Sequence, residues 1–413
     1  MDKDKILKNT DSIILIFLTV QIFSVSFSIA LSSISMGIWG GLWIIRTIYT
    51  RKLCIPESLS KDIKIITVLI LLFFITDLYS RYFAIIPEGA FAGLKRILLF
   101  LIFFGAVINI KDRETLNKII VSILIVFTVI SIYEISLYFL KFSEEAKTTN
   151  IGEIRLYAFS FFITTAEIKM LFLMMLFPLL FIKEEIFLPK RLLAIPLSII
   201  FVSMYLTQSR NVFLAVIICF IIFGIILNRK FLFYLALFII AVLIIIPSGF
   251  RQRIASIADP KHPSNESRLI MWNVGWQMFR DYPITGVGDN EITRVYKMYK
   301  QPEFHGEGSH LHSNYLMVLA TKGIFGLLLY IALFFTLFLK HFKYFKQAVI
   351  KEEKYLIFGS ILSMISFHIS GIFEWNYGDW EVLTVFLFII SVPFLLFKFN
   401  HQTLQKNNQT KEI

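Results

Sequence analysis

Residues 118–140 read KIIVSILIVFTVISIYEISLYFL, in which Glu134 is the one charge after the leading Lys118. A helix of about 20 residues, rising 1.5 Å each, crosses a bilayer core of about 30 Å. This stretch has that length and that composition. Outward from it, a window of the same width finds the same pattern at 12–32, 34–50, 63–80, 93–110, 157–182, 191–207, 211–228, 231–249, 313–339, 355–373 and 381–398. Arg46 and the Lys95-Arg96 pair cut into two of these runs. The 413 residues are 57% hydrophobic and 17% charged, with 44 Phe. A soluble chain carries about 25% charged and roughly 45–50% apolar residues. The composition excludes a secreted disulfide scaffold, a disordered tail and a nucleic-acid-binding domain. It specifies an all-α polytopic membrane protein of about twelve transmembrane helices. Cys54 and Cys219 fall in a short basic loop and an apolar run, so neither a disulfide nor a metal-ligand spacing is expected. The N-terminus enters a full-length apolar segment without a small-residue cleavage site, which reads as a first membrane helix rather than a removed signal peptide.

The net charge of +12 has an explanation in orientation. With the N-terminus in the cytoplasm, the alternating cytoplasmic segments hold 23 of the 41 Lys and Arg residues. The opposite short loops are poorer, and 374–380 has none, carrying Glu374 and Asp379 instead. The positive-inside rule then places both termini in the cytoplasm. The expected organisation is nine spans over 1–249, a large extracytoplasmic loop over 250–312, three spans over 313–398 and a cytoplasmic tail over 399–413. The loop runs against the orientation rule, with Arg251, Arg253, Lys261, Arg268, Arg280, Arg294, Lys297 and Lys300 on the translocated side. Basic residues there suit an anionic partner. Within the loop, residues 264–267 (SNES) offer helix caps, and Leu269, Trp272, Trp276 and Phe279 form one stripe of an amphipathic helix. Asp281-Tyr282-Pro283 and Gly286-Val287-Gly288 end it with turn chemistry. Such a helix lies on the membrane surface or packs on the bundle.

Several polar residues could carry chemistry. Arg210, in Thr207-Gln208-Ser209-Arg210, stands at a minimal extracytoplasmic turn. It is either an interfacial arginine snorkelling to headgroups or an anion clamp, since guanidinium grips phosphate with two parallel hydrogen bonds. Arg268 opens the loop helix on the same side, and two fixed cations are the minimum for a diphosphate; Arg251 and Arg253 are weaker candidates. His310 and His312 precede the tenth span. Two histidines two apart raise zinc, but no third ligand stands at metal-ligand spacing nearby, so no metal is expected. A structural role competes with that of a general base, for which imidazole is suited near neutral pH. Glu167 and Lys169 interrupt the sixth span, and a structural ion pair is the ordinary reading of them, although residues two apart on a helix do not face each other. Lys322 and His368 are further intramembrane polar residues. Glu374 lies on the outer side, where it could orient His312 or a cation.

Taken together, Thr207-Gln208-Ser209-Arg210, residues 267–272 (SRLIMW), 281–288 (DYPITGVG), 310–316 (HLHSNYL) and 322–326 (KGIFG) resemble the bacterial O-antigen ligase and polymerase superfamily. Each motif is short. Their order, spacing and side of the membrane carry the likeness, closely over about 200–340 and elsewhere in topology alone. The resemblance implies a fold like the type C glycosyltransferases, with a large periplasmic loop containing amphipathic helices. It implies residence in the bacterial inner membrane with a periplasmic active site. Arg210 and Arg268 match the arginines implicated in gripping the diphosphate of an undecaprenyl-diphosphate-linked O-antigen. His312, ten residues before Lys322, matches the essential histidine, and Glu374 is the nearest match to an acidic residue after the eleventh span; His310 is a possible accessory. The implied reaction is glycan transfer to the lipid A–core of lipopolysaccharide, with His312 as general base and no metal or other cofactor. Membrane lipids surround the site. Alternatives are an O-antigen polymerase using the same donor, a protein O-glycosylating oligosaccharyltransferase, whose large extra periplasmic domain the chain lacks, and a non-enzymatic flippase of lipid-linked sugars. The His-x-His pair and the short approach to the tenth span favour the ligase.

Overall fold

The computed structural model describes residues 3–51, 55–89, 92–145, 147, 154–156, 158–245, 259, 262–300 and 310–409. Cys54, Arg251 and Arg253 lie outside the described residues. Among the described residues the chain is helical, without a strand. In order the helices are α1 (Lys3–Ser24), α2 (Ile29–Thr50), α3 (Ser60–Tyr82), α4 (Leu101–Asn109), α5 (Arg113–Glu145), α6 (Phe162–Leu176), α7 (Lys190–Leu206), α8 (Arg210–Ile226), α9 (Arg229–Ile245), α10 (Pro263–Asp281), α11 (Ile292–Tyr299), α12 (Asn314–Gln347), α13 (Lys351–Phe373) and α14 (Trp380–Gln409). Tight 3-10 turns precede α4 over Ala92–Phe100 and follow α6 over Phe177–Phe181.

Eight helical segments of the described residues are long and apolar enough to cross a membrane, so the protein is polytopic. They contain α1, α2, α3, α5, α6, α12, α13 and α14. The other four expected runs fold as shorter helices. The run at 93–110 begins as a 3-10 segment, and α7, α8 and α9 are 17 residues each. The first two expected boundaries need correction. The chain turns at 25–28 instead of continuing helically to 32, because Ser28 caps α2 by accepting from Leu31 N at 3.2 Å. Trp39 Nε1 then donates to Gln21 Oε1 at 2.6 Å and closes α1 on α2 as a hairpin.

The connections sort into two ends of one bundle. At one end Asp11 binds Arg46 and Lys111, Lys340 binds Asp62 at 2.7 Å, and Arg113 binds Glu352 at 3.0 Å. At the other lie Arg81, Arg210, His312 and Glu374. Helices therefore alternate in direction. The bundle is centred on α14 and α6, whose apolar windows are 94% and 83% buried, against 22% for α1. An apolar helix that is buried all round belongs inside a bundle, whereas one buried on a single stripe keeps its remaining face for lipid. Helix α13 packs on α6, α8, α12 and α14 and so links the core to the site.

Two features lock the 282–291 segment to the bundle. Helix α12 breaks at Gly323 (φ 66°, ψ −170°), freeing carbonyls of the preceding turn. Ala320 O and Thr321 O then accept from Val287 N at 2.9 Å and Gly288 N at 3.1 Å, while Ile324 N donates to Pro283 O at 2.9 Å. A Cβ on Gly323 would sit 2.3 Å from Ile284 O, and one on Gly286 2.3 Å from Thr321 C, so both glycines are required by contact as well as by φ. Around this junction Asp289 binds Arg81 at 2.9 Å, Arg96 at 3.2 Å and Lys322 at 3.3 Å, and Lys322 also binds Asp77. The intramembrane Lys322 is thus held by carboxylates from α3 and from the loop.

Helix α10 corrects the amphipathic reading. The face it buries is Met271, Val274, Gly275 and Met278, packed with Leu311, Met317 and Ala320. Leu269 and Trp276 of the expected stripe are instead about half exposed, at 50% and 48%. Both stripes recur at spacings of three and four. The Met-Val-Gly face fits close against α12, and the bulkier Leu-Trp face is left outward. The N-cap is His262, whose ring accepts from Ser264 N at 3.3 Å, with Pro263 opening the helix. Ser264 and Asn265 are turned to another use.

Candidate active site

Arg210 is the first residue of α8, at the turn after α7. Gln208 before it holds a left-handed φ of 54°, and its side-chain amide donates to Ile154 O at 2.7 Å. The turn thereby hands Arg210 across to α10. Its guanidinium donates to Ser264 Oγ at 2.9 Å and Asn265 Oδ1 at 3.2 Å. Arg268, one turn further on, donates to the same Ser264 Oγ at 3.2 Å. Sharing that oxygen keeps one nitrogen of each guanidinium within roughly 6 Å of the other, close enough for two phosphates of one diphosphate to meet both. Arg268 Nε is buried without a hydrogen-bond partner among the described residues. Burial drags the Arg268 guanidinium down from its ordinary value, with the Glu374 carboxylate pulling the other way. An arginine keeps its charge through such a shift.

His312 lies just ahead of the Ser313 cap of α12. Its φ of 45° is in the left-handed region, a conformation that costs an L-residue of this kind roughly 1–2 kcal/mol. Trp272 Nε1 holds its carbonyl at 3.4 Å, and Trp272 is one turn from Arg268 on α10. The strained backbone points the ring at Glu374, whose two carboxylate oxygens are 3.0 and 3.1 Å from His312 Nδ1. Glu374 follows the last residue of α13 and is 7% exposed. Burial pushes its carboxyl upward, but the His312 hydrogen bond, the charges of both histidines and the Trp375 N–H outweigh it and hold the group below the usual carboxylate range. With Nδ1 bonded to a carboxylate, Nε2 is the nitrogen left without a partner among the described residues, the arrangement of a histidine general base. His310 Nδ1 is 3.7 Å from Glu374 Oε1, and burial lowers its pKa below 6.5.

His312, His310 and Glu374 line an open cavity of about 560 Å³, together with Phe161, Thr164, Glu167, Trp375, Asn376 and Asp379. The arginine pair stands beside this cavity, joined to it through α10 and Trp272. Glu167 is a residue that sequence reasoning placed elsewhere. Lys169 does not pair with it; Lys169 binds Glu134 on α5 and Ser203 on α7, because residues two apart project from different helix faces. Glu167 faces the cavity instead and accepts from Asn211 at 3.3 Å, from Asn376 at 3.4 Å and from Ser370. Asn211 adjoins Arg210, and Asn376 stands two residues after Glu374. One buried carboxylate therefore ties the arginine turn to the Glu374 loop. Asp379 accepts from Thr164 Oγ1 at 2.5 Å and caps α14 through Glu381 N at 3.0 Å. The polar pairing of α6 with the 374–380 connection was not visible in sequence. Its one signal was Asn211 directly after Arg210 in an otherwise apolar run. His368 bonds Tyr315 at 3.1 Å inside the bundle and does not reach the cavity.

No third ligand was near in sequence, but the fold brings Glu374 to the two histidines, with one donor atom of each within 4.8 Å of the others.

Residues 195–331, about a third of the chain, match the O-antigen ligase family. That segment includes Arg210, Arg268 and His312 and bears out the likeness to the O-antigen ligase and polymerase superfamily, whose members are glycosyltransferase-like membrane enzymes. No curated protein compared with the chain matches it.

Proposed function

From the O-antigen ligase match over residues 195–331, we propose that the protein is an O-antigen ligase. It transfers a glycan from undecaprenyl diphosphate to the lipid A–core of lipopolysaccharide. It resides in the bacterial inner membrane with twelve crossings, α4 and α7 to α9 among them, and both termini in the cytoplasm. The 250–312 loop and the cavity face the periplasm. The observation that carries the reading is the meeting of two arginines on Ser264 beside a cavity lined by the His312–Glu374 pair.

The donor enters laterally from the outer leaflet, and Arg210 and Arg268 hold its diphosphate. An acceptor hydroxyl attacks the anomeric carbon while His312 Nε2 takes its proton. The new glycosidic C–O bond forms, the anomeric carbon–phosphate oxygen bond breaks, and its electron pair leaves on undecaprenyl diphosphate. The guanidinium groups stabilise the charge growing there, as preorganised electrostatics. Glu374 holds the ring tautomer and stabilises the imidazolium that forms. The diphosphate ester supplies the driving force, so no nucleotide is used, and the guanidinium pair takes the place of a divalent cation. A transporter places its substrate site near the midplane between related halves. Here Arg210, Arg268, both histidines and Glu374 gather at one end of the bundle, which favours an enzyme.

The test is capping of lipopolysaccharide in cells lacking the native activity. Alanine at Arg210, Arg268 or His312 should abolish capping and leave polymerised lipid-linked glycan to accumulate. Capping that persists in all three variants removes the proposal. Loss of polymer length with single-unit capping retained assigns the chain to the polymerases.

A further inference from the structure

We propose that His310, His312 and Glu374 also form a site for a divalent transition ion of the zinc type, and that its occupancy switches the His312 base off. Two imidazoles and one carboxylate are a donor set zinc uses, with a fourth position left to water. The three donors come from the turn that leads into the Ser313 cap of α12 and from the residue that follows α13. Their mutual separations, 3.0 Å for His312 Nδ1 to Glu374 and 3.7 Å for His310 Nδ1 to Glu374 within a 4.8 Å cluster, suit ligand bonds of about 2.0–2.2 Å to one central ion. His310 supplies the particular reason. Its Nδ1 is unprotonated, its one lone pair taken only by the long 3.4 Å contact from the His312 backbone N–H, which an ion would displace, and it faces a carboxylate oxygen at 3.7 Å, which presents another lone pair. A cation between them satisfies both. The fourth position opens into the 560 Å³ cavity, which gives the ion a path and a water. Arg268 nearby opposes a dication, while Glu167 and Asp379 on the cavity wall favour it.

The consequence follows from proton placement. In the dyad, Nδ1 carries the imidazole proton towards Glu374 and Nε2 holds the lone pair. Metal on Nδ1 displaces that proton to Nε2, with no net proton released. Nε2 then donates and cannot accept from a hydroxyl. Ion binding stands apart from the transfer reaction; only the loss of the base rests on that reading.

The experiment uses the untagged full-length chain in detergent micelles, stripped with a chelator and titrated with ZnCl2 by calorimetry. CoCl2 titration followed by visible ligand-field absorption provides a second measure. One equivalent should bind saturably. His310→Ala should weaken it by more than the roughly 10–100-fold that losing an outer-shell partner costs. Glu374→Gln should do likewise, with unchanged gel-filtration profiles showing that both variants fold. Absence of saturable binding, or equal affinity in wild type and His310→Ala, overturns the site. Glycan transfer by wild type should fall at saturating zinc and return with chelator. Undiminished transfer there, with binding intact, overturns the switch alone, whereas absence of transfer in the zinc-free protein counts against the ligase reading.

Discussion

Replacing Glu374 with Gln keeps the shape of the side chain and removes its charge. Glu374 Oε1 also accepts the Trp375 N–H at 3.1 Å, and this contact decides how the amide will sit. The amide oxygen takes the Oε1 position to keep that bond, which leaves the NH2 at the Oε2 position, 3.1 Å from His312 Nδ1. An NH2 donates and favours an accepting Nδ1, while the amide oxygen at the Oε1 position, 3.0 Å from Nδ1, still accepts the ring proton, so the two tautomers compete. Loss of the charge-assisted hydrogen bond alone is worth about 1.5–3 kcal/mol, or roughly 10–150-fold in rate. Locking the wrong tautomer is more severe: the corresponding carboxylate-to-amide change behind the histidine of serine proteases lowers kcat about 10⁴-fold. With both tautomers available, Glu374→Gln should lose between about 10-fold and 10⁴-fold in kcat, equivalent to roughly 1.5–5.5 kcal/mol. The measurement is transfer of glycan from lipid-linked donor to lipopolysaccharide in proteoliposomes at saturating donor. The KM for donor should change little, since the arginine pair is untouched. A loss below tenfold, with the variant folded, would refute the orienting role of Glu374.

Lys169→Met should lower the thermal midpoint of the detergent-solubilised protein by an amount matching about 3–5 kcal/mol, because it strands Glu134 in the bundle; adding Glu134→Gln should restore much of that, and no recovery in the double variant would disprove the pairing. Gly323→Ala forces a side chain into a positive-φ conformation and against Ile284 O, so a destabilisation of at least about 2–3 kcal/mol is expected in the same assay, and a neutral result would contradict the broken helix. For His310, whose folded pKa is lowered by burial, the unfolded chain takes up the proton first. Stability is then present above about pH 6.5 and declines as pH falls from 6.5 towards the folded value, a slope that His310→Gln should flatten in pH-dependent thermal melts.

The sequence by itself determined what is local or what water enforces. Runs of about twenty apolar residues specified membrane helices, because a bilayer core leaves no other partner for such surfaces. Basic residues in alternate connections specified a consistent orientation, and a helix in the large loop could be read from its spacing. Motif order also put Arg210, Arg268, His312 and Glu374 at corresponding ends of their helices. Choices between equivalent local patterns were decided by packing. On α10 two stripes have helical spacing, and only contact with α12 selected Met271, Val274 and Met278 over Leu269 and Trp276. Glu167 and Lys169 looked like a pair because they are close in the chain, whereas the helix turn sends one to the cavity and the other to Glu134. The meeting of both arginines on Ser264 spans more than fifty residues, and that of both histidines with Glu374 more than sixty, distances over which spacing carries no information. Tertiary structure supplied those contacts, because a buried charge or lone pair takes whichever partner the packed helices bring within reach.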